Sequence, residues 1–263
     1  MKKYTFILFI LFSSIMADAG VNVIFELDED FLAAITIQHG GSGQEIEDLR
    51  NRLWEKYKDE YKALKKVHNE SEFGLTPELV KQNKTLFPHI ISETKSCHFF
   101  TNWLRGAEGF KLKSEEEWKR NYEKSSALMK DITGFDLSLT FHVYILNPAN
   151  HIGRSIGNGL VAWGAPDEFP QYTTIYIWHE ILHYYMKFNK ISHSIIELAT
   201  DNELRVRMNG GMMEPLIGHD YLTDVRKILF DSDWNEYLKN KNTNLIEFQE
   251  KMLIKYADIL GNG

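Results

Sequence analysis

From Gln171 to Lys190 the chain contains neither proline nor glycine and is apolar on nearly every side of a helical wheel. Ile175, Tyr176, Ile177, Trp178, Ile181, Leu182, Tyr184, Tyr185 and Met186 predict a helix sunk in a larger core. Set into it are His179, Glu180 and His183, in the order His-Glu-x-x-His. At about 3.6 residues per turn, positions four apart stack on one face, so both imidazoles aim at one point. Buried polar side chains are costly without partners, and a metal ion is the simplest partner for these. Glu180 is placed to take a proton from water at that ion. The competing reading is two core histidines capped by carbonyl oxygens.

A metal site that does chemistry wants three protein ligands and one open position. Downstream, Glu197 and Asp201 are four apart and share a face if they too are helical. Asn189-Lys190-Ile191-Ser192 supplies a stop, a turn and a restart between the two helices. Glu197 is the favoured third ligand. Glu203 lies six residues beyond it, on another face, with Arg207 four residues further on. His193 could reach an ion from the turn. Glu203 and His193 therefore remain as alternatives.

The pair of motifs, His179-Glu180-x-x-His183 and Glu197-x-x-x-Asp201, resembles the gluzincin metallopeptidases, the thermolysin-like branch of the zincins. The resemblance spans about 25 residues, from His179 to Glu203. It implies an α+β, zincin-like fold: a small mixed sheet with an edge strand, an active-site helix and a following ligand helix. It further implies Zn2+ held by His179, His183 and Glu197, Glu180 as general base, and Asp201 orienting a ligand histidine. The implied substrate is a peptide or protein. The longer metzincin pattern is excluded, because Met186 and Asn189 stand where it needs glycine and histidine. His219 and Tyr221 are candidates, by residue type, for a donor to a developing oxyanion.

The remaining chain sets the context. Met1-Lys2-Lys3, an unbroken apolar run from Phe6 to Phe12, and Ala17-Asp18-Ala19 predict a signal peptide over residues 1–19. The expected product is a secreted or periplasmic domain of residues 20–263 with no stable membrane insertion, in which residues 20–135 could form a separate subdomain. A net charge of −7 without a basic run argues against a nucleic-acid partner. Cys97 is the only cysteine, so no internal disulfide forms.

Val21–Leu27 and Leu137–Leu146 read as strands, and Gln44–Val67 as one long amphipathic helix. Ser114-Glu115-Glu116-Glu117 reads as a capping box opening a helix that ends near Gly134. Leu160–Trp163, just ahead of the histidine helix, is expected to be the edge strand that pairs with an extended substrate. Tyr221–Phe230 and Leu245–Leu260 are expected as closing amphipathic helices. Two other functions stay open: a zinc amidase acting on a non-protein substrate, and a non-catalytic exported binding protein.

Overall fold

The computed structural model describes residues 20–39, 43–211, 216–240 and 242–257. The predicted signal peptide lies outside these residues. The fold is α+β: many helices around a mixed sheet of four strands in the order β1-β2-β4-β3. Strands β1 (Asn22–Glu26), β2 (Thr140–Ile145) and β4 (Leu160–Gly164) run parallel, and β3 (Ile152–Ser155) is antiparallel to β4.

This order corrects the edge-strand expectation. Leu160–Gly164 lies inside the sheet, between β2 and β3, and Val161, Ala162 and Trp163 are buried. A strand apolar on both faces belongs in the interior. The edge toward the histidine helix is β3, whose four residues include Gly153, Arg154 and Ser155.

In the amino-terminal half, α1 (Glu29–His39) is followed by α2 (Gln44–Lys56) and α3 (Lys58–Glu70). The single helix expected over 44–67 is thus two, broken at Tyr57, whose φ of −132° and ψ of 46° are not helical. Tyr57 stacks on His89 and donates its hydroxyl to Glu93 Oε2 at 2.8 Å. Tertiary contact here outweighs a continuous periodic stripe. Helices α4 (Pro77–Asn83) and α5 (Pro88–Ser96) lead into α6 (His98–Thr133).

Helix α6 is 36 residues long, so the expected start at Ser114 falls in mid-helix. Its predicted end is right: Gly134 takes the left-handed conformation, with φ 76°, that closes a helix without steric cost. Glu117 serves a different helix from the one expected. Its Oε1 accepts hydrogen bonds from the backbone N–H of Thr174 at 2.7 Å and from the Thr174 hydroxyl. Thr174 lies in the first turn of α7 (Tyr172–Tyr185), whose own N-cap residue Gln171 provides no side-chain cap. The buried carboxylate thereby satisfies an otherwise orphaned helix donor.

Asn189 caps α8 (Lys190–Glu197) by accepting from Ser192 N at 2.9 Å. The helix runs on through a π turn (Leu198–Leu204) into α9 (Arg205–Met208), and stops at Asn209-Gly210-Gly211, as expected. The carboxyl-terminal helices are α10 (Thr223–Leu229), α11 (Asn235–Lys239) and α12 (Leu245–Lys255). Residues 258–260 of the last expected helix lie outside the described residues. One apolar core, including Phe31, Leu53, Phe141, Trp163, Trp178, Ile196 and Trp234, joins the amino-terminal helices, the sheet and the carboxyl-terminal helices. Among the described residues, no helix is long and apolar enough to cross a membrane.

Candidate metal centre

Helix α7 brings His179 and His183 together as their spacing predicts. Their Nε2 atoms are 3.2 Å apart. Two nitrogens each about 2.05 Å from one ion at the tetrahedral angle would be about 3.3 Å apart, so this separation matches the edge of a zinc coordination tetrahedron. Asp201 Oδ2 lies 2.8 Å from Nδ1 of His179, also as predicted. Donating the Nδ1 proton to that carboxylate leaves the lone pair on Nε2, turned toward His183.

The third group is His193, from the first turns of α8. Its ring lies 5.3 Å from that of His179 and 4.7 Å from that of His183, centroid to centroid. The three imidazoles each offer a nitrogen within 4.8 Å of the others. His193 Nδ1 meets the Tyr221 hydroxyl at 3.1 Å, while its Nε2 is buried without a hydrogen-bond partner among the described residues. A cation placed between the three rings would satisfy this nitrogen.

Glu197 is placed differently from the expectation. Its Oε1 accepts from the backbone N–H of His219 at 2.7 Å and pairs with His219 Nδ1 at 2.6 Å, and its Oε2 pairs with Arg226 Nη1. The carboxylate is fully buried. It belongs to a neighbouring group with His193 and His219, not to the one containing His179 and His183. Gly218 makes this packing feasible: a Cβ there would sit 2.5 Å from Glu197 Cδ. Glu203 pairs with Arg207, which also reaches Asp131, and joins neither group.

The electrostatics follow the contacts. Burial would lower the His179 pKa, but Asp201 outweighs it and holds the ring at about 9 in the metal-free chain. Burial, then the neighbouring histidines, pushes His183 down to about 2. Burial also dominates at His193, which falls to about 4. For Glu197, burial favours the neutral acid, yet the His219 hydrogen bonds and the Arg226 charge hold its carboxyl below the usual range. Two neutral imidazoles beside a third whose Nε2 proton a bound cation would displace form a nitrogen donor set suited to a borderline-soft divalent ion.

Glu180 is buried beside His179, and its Oε2 has no hydrogen-bond partner among the described residues. Burial raises its pKa, opposed by the His179 charge and by hydrogen bonds from Tyr176 and the Ser155 backbone. The carboxyl shares a cavity wall with edge strand β3. All these groups open on one cavity of about 780 Å³, lined by His179, Glu180, His183 and His193, by Gly153–Ser155 of β3, and by Phe73. Of the two oxyanion candidates, His219 lines this cavity and Tyr221 does not.

Two arginines with no motif in the sequence also belong here: Arg226, which pairs with Glu197, and Arg154, in the cavity wall. No spacing signal marked Arg226, which comes from a helix 29 residues downstream of its partner. Compared with known protein families, curated proteins and solved structures, the chain matches none of them.

Proposed function

We propose that the chain is an exported, zincin-like zinc peptidase whose ion is held by His179, His183 and His193. The observation that carries this reading is the 3.2 Å separation of the His179 and His183 Nε2 atoms, beside the orphaned Nε2 of His193. Asp201 then fixes the tautomer of His179, and Tyr221 orients His193 through Nδ1. Glu197 moves out of the ligand set and into a supporting role, anchoring His219 at the cavity wall. Zinc when bound supplies a Lewis acid that brings the pKa of water toward about 7 and polarises a carbonyl.

The chain's own residues supply the rest. Glu180, raised by burial, accepts a proton at Oε2 from the attacking water and returns it to the departing nitrogen. Among the described residues the outer edge of β3 pairs with no other strand, and beyond Gly153 O, which accepts from the Tyr176 hydroxyl, it can hydrogen-bond an extended peptide backbone laid across Glu180. This takes over the role first expected of Leu160–Trp163. His219 is the nearer candidate for stabilising the oxyanion. The expected signal peptide supports export. The test is hydrolysis of unstructured protein by the zinc-loaded chain and its loss in Glu180→Gln. Zinc-loaded protein that cleaves small amides but no peptide would favour the amidase alternative.

A further inference from the structure

Arg154 lies in the middle of edge strand β3 and lines the cavity, yet the proposed hydrolysis leaves its guanidinium unused. Its Nε and Nη2 atoms are buried, and neither has a hydrogen-bond partner among the described residues. These two atoms share one side of the planar guanidinium. That side matches a carboxylate, which can accept two parallel N–H···O bonds from it.

Among the described residues no acceptor reaches these two nitrogens. Around Arg154 stand His68 of α3, Gly74 of the loop that follows, and His39 at the end of α1. The His39 and His68 rings contact each other at 4.6 Å, and burial keeps both pKa values below the ordinary histidine value. Glu180 is the carboxylate whose charge reaches the guanidinium, and it makes no hydrogen bond to Arg154. Gly74 lets the loop close down: a Cβ there would lie 3.0 Å from Arg154 Nη2 and 2.7 Å from His68 Cε1. Buried Nε and Nη2 donors held under a loop with no acceptor among the described residues are costly unless an anion completes them.

We propose that Arg154 is a recognition subsite for a peptide carboxylate, gripped through the Nε–Nη2 side, so that the preferred substrate is acidic next to the scissile bond. This rests on the peptidase reading for its substrate class. Glu180 lines the same cavity wall as Arg154 and Ser155, the next residue along β3, and each strand residue advances about 3.3 Å. A peptide lying on this edge therefore places the carboxylate within one or two residues of the bond that Glu180 serves. Either an acidic side chain or a free carboxyl terminus offers the same chemistry.

The test measures binding to the full chain after chelator treatment, so that no turnover intervenes. Three short peptides of one sequence serve as probes: blocked at both ends with one glutamate, the glutamine form with a free carboxyl terminus, and the glutamine form blocked at both ends. One of the two carboxylate peptides is expected to bind about tenfold tighter than the fully neutral one. Which of them does so identifies the source of the carboxylate. In Arg154→Gln that preference should vanish, and in Arg154→Lys it should fall, because a lysine keeps the charge but not the two-pronged grip. Equal binding of all three peptides by the wild type would overturn the proposal without reference to any variant, as would a preference that survives Arg154→Gln. A chain that takes up no zinc but keeps the Arg154-dependent preference would sink the hydrolase reading and leave this subsite standing. Zinc-dependent hydrolysis with no carboxylate preference would do the reverse.

Discussion

Arg226 Nη1 and Glu197 Oε2 form an ion pair that is almost completely enclosed by protein. The pair ties α10 to the end of α8, one turn beyond His193, and Glu197 simultaneously fixes the His219 backbone and ring. Its arrangement is that of a structural clamp under a metal site.

Removing one partner strands the other charge in the interior. Arg226→Ala is expected to cost about 3–5 kcal/mol of folding stability. Chemical denaturation with zinc absent checks this, and a loss well under that range would show that Glu197 has other compensation.

Asp201 accepts from Nδ1 of His179, and under the proposed zinc reading it acts on the ion through that ring. Asp201→Ala is expected to weaken zinc binding by about 10–100-fold while leaving the helical content intact. A competition titration against a coloured zinc chelator reads this directly.

For Glu180 the expectation is the converse. Glu180→Gln should retain zinc at wild-type content and lose hydrolysis by about 10²–10⁴-fold. Parallel metal analysis and peptide assays separate the two effects.

His39 gives a pH prediction away from the metal. Burial, with the nearby His68 and Arg154 charges, lowers its pKa from 6.5 to about 4 in the folded chain. The unfolded chain therefore takes up this proton first as pH falls. The contribution to stability is fully present above pH 6.5 and is lost as pH drops from there to about 4. His39→Gln should flatten that part of the urea-midpoint profile relative to wild type, and an unchanged profile would rule the histidine out as its source. Because the ring is only half-buried, the effect should be modest.

The parts of this structure legible in the sequence were those governed by local periodicity. Positions four apart in α7 brought His179 onto His183, and the resemblance of the second motif implied the contact of Asp201 with a ligand histidine. Strands β1 and β2, and the glycine ends of α6 and α9, followed from composition and left-handed backbone positions. The errors arose where distant segments decide. Glu197 lies in a candidate metal group with His193 and His219 and also pairs with Arg226, a partner that no helical spacing reveals. Glu117 carried a correct capping chemistry, but for α7 instead of its own helix. The edge of the sheet was misassigned because β3 is short and glycine-containing, whereas β4 has the stronger strand composition that suits an interior position.

The central claim is that His193 completes the metal site. Zinc per chain should be measured by atomic emission after saturation and desalting, in wild type, His193→Ala and Glu203→Ala. The account predicts about one zinc in wild type and in Glu203→Ala, whose carboxylate pairs with Arg207, and none in His193→Ala. Zinc retained at full content in His193→Ala, or no zinc in wild type, would contradict it.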